Sequence, residues 1–167
     1  MYACRFFSHA QNHKTYTGKP RIQEIRVNLG DTVLIEGTDY EVSYKDNTNA
    51  GTATLTITGI NAYKDSTDAN FKIAKAANTL KVSPTNQIYM RVDLTKAKTF
   101  TIKTTDTKGK VEYSLSRRTK ASGISVTSKG RVTVPAKCRK GTYKIKVRAA
   151  GNGNYKAKNI FLKIIVK

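Results

Sequence analysis

Apolar and polar residues alternate with a period of two along much of this chain. Over residues 39–44, Tyr40, Val42 and Tyr44 alternate with polar neighbours, and over residues 52–58 Ala53, Leu55 and Ile57 do the same. That spacing puts each set on one face of a pleated strand. Between them runs Asn47-Thr48-Asn49-Ala50-Gly51, whose residue types tolerate left-handed backbone and hydrogen-bond it locally. The pattern predicts a β-hairpin with one buried and one wet side. Strands are predicted over 22–29, 32–35, 39–44, 52–58 and 69–73, with Gly30-Asp31 and Glu36-Gly37 as short connections. Six more follow, over 99–103, 110–115, 124–127, 131–134, 142–149 and 160–166. In 142–149, Tyr143, Ile145, Val147 and Ala149 face a core while Lys144, Lys146 and Arg148 face water. The last strand is apolar on both faces for part of its length, as a central or well-covered strand would be. No window offers three turns of capped amphipathic helix. Short strands at close spacing indicate a sandwich or partial barrel.

The two halves share a unit. Gly51-Thr52 opens a strand that ends at Gly59-Ile60-Asn61-Ala62-Tyr63-Lys64 and returns through Phe71-Lys72-Ile73. Gly141-Thr142 opens one that ends at Gly151-Asn152-Gly153-Asn154-Tyr155-Lys156 and returns through 160–166. Asn and Gly supply the turn, and the tyrosine can cover the end of the core with its hydroxyl in water. A repeated β-unit points to a tandem array.

Several fixed positions between about Tyr16 and Ile73 carry a resemblance. They are Tyr16-Thr17-Gly18-Lys19-Pro20, Leu34-x-x-Gly37-Thr38-Asp39-Tyr40, Asn47-x-x-Ala50-Gly51-Thr52-Ala53, Ile57-Thr58-Gly59 and Tyr63. Together they resemble the bacterial immunoglobulin-like (Big/MBG-like) repeats of large surface proteins in Gram-positive bacteria. Residues 149–157 are similar to closing hairpins of the same class. The resemblance implies an all-β fold of two tandem immunoglobulin-like β-sandwich modules. It also implies an extracellular setting at the bacterial cell surface and a non-catalytic structural or adhesive stalk within a longer parent protein. Fold alone does not settle activity, because such modules recur in many roles.

Charge divides the chain. Residues 1–75 carry nine Lys or Arg against eight Asp or Glu, whereas residues 76–167 carry 22 against three, a net of +19. A boundary at Ala74-Lys75-Ala76-Ala77-Asn78 accounts for the shift. It gives a disordered leader over 1–13, one module over 14–76 and a strongly basic module over 77–167. Units of this size close only a modest core. No stretch approaches the roughly 20 apolar residues of a membrane span, so membrane insertion is not expected. Met1-Tyr2-Ala3-Cys4-Arg5-Phe6-Phe7 is too short and too charge-broken for a signal peptide, so no export signal is expected in these residues.

Catalytic chemistry finds little support. His9 and His13 sit in the leader without the Glu of a metalloprotease helix. Cys138 has no histidine in its own module, so a Cys–His nucleophile has no local partner. Its flanking Lys and Arg would activate the thiol if it were exposed, and the cysteine count does not fix a pairing with Cys4. Glu36, Asp39 and Glu41 surround a strand start, where turn chemistry accounts for them, and no glycosidase pair stands out. Asp46-Asn47-Thr48-Asn49-Ala50-Gly51 lacks the spacing and closing Glu of a calcium loop. Lys–Asn isopeptide bonds also occur in surface β-modules, but the abundant Lys and Asn here single none out. No cofactor, metal or catalytic residue is expected, and the chain is read as a non-enzyme.

The basic second module exceeds what solubility and edge protection require. Lys103, Lys108, Lys110, Arg117, Arg118, Lys120, Lys144, Lys146 and Arg148 are the candidate polyanion-binding residues. Such a field attracts wall teichoic acid, anionic glycan or nucleic acid. Nucleic acid is disfavoured, because neither a stacking platform nor a readout helix is evident. The expected partners are an anionic cell-wall polymer or glycan and neighbouring repeats of the parent chain.

Overall fold

A computed structural model describes residues 14–167. The leader, with Cys4, His9 and His13, lies outside them. The alternating segments form β1 (Lys14–Thr15), β2 (Asn28–Leu29), β3 (Thr32–Val33), β4 (Tyr40–Lys45), β5 (Gly51–Gly59) and β6 (Ser66–Ala74). Four of these make one sheet in the order β1-β6-β5-β4, antiparallel except for the parallel β1–β6 pair. Its inward face buries Tyr40, Ala53, Leu55, Ile57, Phe71 and Ile73, and Val27 and Leu34 close the core. Each large aliphatic side chain buried there contributes about 1.5–3 kcal/mol.

The strand expected over 22–29 is paired only at Asn28–Leu29. Alternation survives in its burial, since Gln23 and Val27 are buried and Ile25 half-buried. The ladder is replaced by side chains. The Tyr44 hydroxyl accepts from the Gln23 N–H (3.2 Å) and donates to the Gln23 carbonyl (3.1 Å). The Asn47 amide donates to the Arg21 carbonyl at 3.1 Å, and the Arg21 N–H donates to the Asn47 carbonyl at 2.7 Å. Buried backbone groups need partners, and here two side chains supply several of them. The segment expected over 32–35 pairs only at Thr32–Val33, and Ile35 is exposed.

The second unit holds β7 (Lys81–Ser83), β8 (Asn86–Tyr89), β9 (Lys98–Thr101), β10 (Lys103–Thr105), β11 (Val111–Leu115), α1 (Arg117–Ala121), β12 (Ser125–Val126), β13 (Arg131–Val134), β14 (Gly141–Ala149) and β15 (Lys158–Val166). One sheet runs β11-β14-β15-β8, a second β12-β13-β9, and β7 pairs with β10. The single strand expected over 99–103 is two. β9 pairs with β13 and β10 with β7, and between them Ile102 is buried and donates its N–H to the Gly130 carbonyl at 2.9 Å. A strand that changes sheets makes the corner of a sandwich. Leu80, Leu94, Ile102, Ile124, Val132 and Val134 pack with Tyr143, Ile145, Val147, Leu162 and Ile164 in the core.

The two four-stranded sheets match. In β1-β6-β5-β4 and β8-β15-β14-β11, a long antiparallel hairpin is flanked by one parallel and one antiparallel strand. Tyr143, at the start of β14, donates its hydroxyl to the Arg139 carbonyl four residues upstream at 2.8 Å. That bond is the tyrosine corner of immunoglobulin-like sandwiches. The chain is therefore all-β, two immunoglobulin-like modules in tandem, and it divides between Ala76 and Ala77. The shared turn also has a steric reason. A Cβ on Gly59 would sit 2.8 Å from that of Tyr63, and one on Gly151 would strike the Tyr155 carbonyl. In both modules the tyrosine four residues on leaves room only for glycine.

Cys138 follows Lys137, whose φ of 55° turns the chain, and its thiol is free and buried against the second core. The condition set for reactivity, exposure, is not met, and the residue packs as a small hydrophobe.

Candidate anion-binding face

Because Tyr143, Ile145, Val147 and Ala149 are buried, the intervening residues of β14 project from the outer face of the sheet. On that face Lys144 stands directly opposite Lys163 of β15, and Lys146 is flanked by Ser114 of β11 and Phe161 of β15. Opposed side chains on a ladder begin about 4.5–5.5 Å apart, and like charges there repel. Neither lysine of the Lys144–Lys163 pair has an ion-pair partner among the described residues. Arg148 does, reaching Glu112 across the β11–β14 ladder at 3.1 Å. Four cations therefore meet one carboxylate on this face.

The cationic row has apolar neighbours. Phe161 and Ile88 are each 54% exposed, and Ile165 is paired directly with Ile88. A side chain that reaches the lysines can also lie on aromatic and aliphatic surface. Phe161, Ile165 and Ile88 thus share the outer face of the sheet with the lysines.

The short helix α1 adds to one end. Ser116 caps it, accepting from the Thr119 N–H at 3.2 Å. Thr119 is fully buried, and its hydroxyl donates to the Lys144 carbonyl (3.1 Å) and accepts from the Lys144 N–H (3.2 Å). β11 ends at Leu115, opposite Ile145, so this hydroxyl satisfies the strand edge that β11 leaves open. Thr119 thereby anchors α1 to the backbone of β14 at Lys144, and Arg117, Arg118 and Lys120 on that helix are all exposed. The Arg118 guanidinium lies close to Gly141. Burial pushes the Tyr143 hydroxyl above its ordinary pKa, with nearby Cys138 adding to the effect and Arg118 and Arg139 opposing it.

Of the sequence-predicted residues, Lys144, Lys146 and Arg148 lie on one strand face, while Arg117, Arg118 and Lys120 lie on α1 at the Lys144 end of that strand, with the Arg118 guanidinium beside Gly141 and Tyr143. Lys103 lies on β10, in a different sheet. Lys108 and Lys110 lie on the β10–β11 connection, where the Lys108 ammonium sits 5.3 Å above the Tyr155 ring and the backbone N–H of Lys108 donates to the buried Asn78 side chain. Sequence reasoning missed Lys163 and its apolar neighbours. The signal was present, since Phe161, Lys163 and Ile165 are the alternate positions of a strand whose Leu162, Ile164 and Val166 are buried.

Asp39, one of the acidic residues at the strand start, and Asp106 of the second module both take structural roles. The Asp39 carboxylate accepts from the Ile35 N–H at 2.8 Å, closing the turn into β4. Asp106 pairs with Lys81 at 2.8 Å, and that hydrogen bond and charge hold its carboxyl below the ordinary value. No three His, Cys, Asp or Glu side chains cluster as metal ligands among the described residues. No helix among them is long and apolar enough to cross a membrane.

No protein-family model matches the chain, and no curated protein does. Among solved structures, Drosophila N-cadherin EC1–4 is similar at 14% identity and a TM-score of 0.40, covering 96% of this chain and 42% of that one. A protocadherin gammaB7 EC3–6 structure matches at 12% identity and a TM-score of 0.37, over 97% of this chain and 48% of its own. The tandem Ig repeats of Dlar match at 13% identity and a TM-score of 0.34, over 80% and 77% respectively. The chain thus spans under half the length of the cadherin-type chains. Likeness at this level speaks neither to a partner nor to an activity.

Proposed function

We propose that this chain is a non-catalytic adhesive segment of a bacterial cell-surface protein, whose second module holds an anionic cell-wall polymer or glycan on the outer face of β11-β14-β15-β8. The first module serves as spacer and continues the array. One observation carries the reading: matching positions in the two sheets have opposite character. In the first module the outer face of β5 presents Thr52, Thr54, Thr56 and Thr58. Thr54 and Thr56 donate to Asn70 and Asp68 of β6 at 3.0 and 2.7 Å, and Glu41 and Asp68 balance Lys45 and Lys72 over the sheet. The fold is therefore satisfied by a neutral, internally hydrogen-bonded face. In the second module the same place carries uncompensated lysines, which sheet formation does not need and which repel one another.

A bound polyanion relieves that repulsion and releases counterions, so affinity falls steeply with salt. The surface setting rests on the motif resemblance over 16–73 and on the repeated unit. The test uses the full chain against the triple variant Lys144→Ser, Lys146→Ser, Lys163→Ser, with wall teichoic acid and heparin as ligands. The unaltered chain is expected to bind both, to lose binding as salt rises, and to ignore neutral polysaccharide. With duplex DNA as a calibrating polyanion, the log–log salt slope should shrink by about 0.9 for each contact removed. Equal binding by the variant, with an unchanged slope, would remove this face from the account. Absence of binding to any polyanion at low salt would leave the lysines as a solvated coat.

A further inference from the structure

The hairpins β5–β6 and β14–β15 compare position by position, because Gly51 and Gly141 open them opposite Ile73 and Val166. Three residues on, Thr54 faces Asn70 in the first module and Lys144 faces Lys163 in the second. Two further on, Thr56 faces Asp68 and Lys146 faces Phe161. In the first module both pairs close across the ladder by hydrogen bonds of 3.0 and 2.7 Å. In the second neither pair closes, since two ammonium groups repel and a phenyl ring offers no polar atom. The fold accepts a carboxylate where Phe161 stands, so sheet formation does not require its ring.

A single exposed apolar residue is ordinary on a protein surface. The setting of Phe161 is what distinguishes it. Half-exposed, it stands opposite Lys146 with Cβ atoms about 4.5–5.5 Å apart, and Lys163 follows about 6.5–7 Å along the strand. Ser114 and Asn159 add neutral polar groups to the same face. Among the described residues Lys108 covers the Tyr155 ring, whereas no ammonium group lies over that of Phe161. Its π face stays open, with cations at its margin.

We infer, resting on the polyanion reading of the same face, that it takes an acidic polysaccharide of uronic-acid residues. One sugar ring stacks on Phe161 with its carboxylate between Lys146 and Lys163, and Lys144 meets the next carboxylate of the chain. The C–H bonds on one face of a pyranose carry slight positive charge and suit the negative face of an aromatic ring. A carboxylate in the mean plane of that sugar points away from the phenyl ring and toward the ammonium groups beside it. A polyol phosphate chain brings the charge but has no ring to lay on Phe161. A nucleobase has a flat ring, yet the cations next to Phe161 are lysines, compact point charges, and the Arg148 guanidinium on this face is held by Glu112.

The test titrates the full chain at low salt with four oligomers of equal charge: oligogalacturonate, oligo(glycerol phosphate), oligoacrylate and oligothymidylate. Oligogalacturonate is expected to bind most tightly, with its ring protons shifted upfield as protons above an aromatic face are. Phe161→Leu keeps an exposed apolar side chain and removes the ring. It should weaken oligogalacturonate about two- to tenfold, the worth of an aromatic contact, at an unchanged salt slope, since a phenyl ring displaces no counterions. Phe161→Tyr should retain the affinity. The penalty should be confined to ligands with rings, so oligoacrylate, with its carboxylates on a ringless chain, serves as the control. Lys146→Ser should instead weaken all four and reduce the slope. If all four bind alike and Phe161→Leu alters none, the stacked sugar is overturned while the polyanion reading stands. If oligothymidylate binds most tightly and loses most in Phe161→Leu, the face stacks bases and the inference is overturned. If none binds at low salt, both readings fall together.

Discussion

Tyr143 shows how one side chain joins fold and electrostatics. Its ring fills the core at the start of β14, and its hydroxyl donates to the Arg139 carbonyl. The loop that bond fixes brings Lys137 and Arg139 to the surface on either side of the buried Cys138. Tyr143→Phe keeps the ring and leaves the Arg139 carbonyl without its donor, so a loss of about 0.5–1.5 kcal/mol is expected from urea denaturation. The hydroxyl has its pKa raised, chiefly by burial and next by Cys138. A raised folded-state value means the folded chain holds this proton more tightly than the unfolded one. Its contribution is therefore complete below the ordinary tyrosine pKa of about 10 and is lost as pH rises through the folded value. The unaltered protein should lose stability over that alkaline window faster than Tyr143→Phe does. Identical alkaline profiles would show that the hydroxyl is not buried as described.

At the scale of elements, β14 is the strand on which the candidate face depends, and α1 is attached to it by Thr119. Replacing that residue by Val keeps the shape and removes the hydroxyl that serves both the N–H and the carbonyl of Lys144. The expected cost is about 1–3 kcal/mol, a shifted urea midpoint at unchanged slope. Protection of the Lys144 amide from hydrogen exchange should fall with it; an unprotected amide in the unaltered chain would contradict the assignment. The long strands were legible in sequence because their inward positions are uniformly apolar: Leu55 and Ile57, Ile145 and Val147, Leu162 and Ile164. The short ones were not. β7 and β8 have too few residues to establish a period, and β1 pairs through two residues only. The segment 21–27 alternates without a ladder because Tyr44 and Asn47 bond its backbone at Gln23 and Arg21, contacts between residues 21 to 26 positions apart that no local pattern encodes. The candidate face was half legible for a similar reason. Lys144, Lys146 and Arg148 announce themselves by alternation within one strand, whereas the Lys144–Lys163 opposition depends on the register of two strands.

At the scale of the whole molecule, the two modules differ in charge far more than in topology. Residues 14–76 carry eight Lys or Arg against eight Asp or Glu, while residues 77–167 keep the net of +19. Each described core cluster draws its residues from one side of Ala76–Ala77 alone. Separate expression of 14–76 and 77–167 is therefore expected to give two folded β-domains, each with dispersed amide spectra. Their responses to salt should diverge. Like charges crowded on a compact domain repel, and unfolding lets them spread. Added salt shortens the screening length from about 30 Å at 0.01 M to about 8 Å at physiological strength. The urea midpoint of 77–167 should accordingly rise with salt over that range, while that of 14–76 stays nearly constant. Sulfate or heparin should stabilise the basic fragment beyond what chloride does at equal ionic strength, because a ligand that binds only the folded state adds its binding free energy to stability. If both fragments gave collapsed, undispersed spectra, the boundary would be misplaced and the two sheets would belong to one cooperative unit. If 77–167 folded but ignored salt, its cations would already be neutralised in the folded state, and the face on β14 and β15 would have no charge to offer a partner.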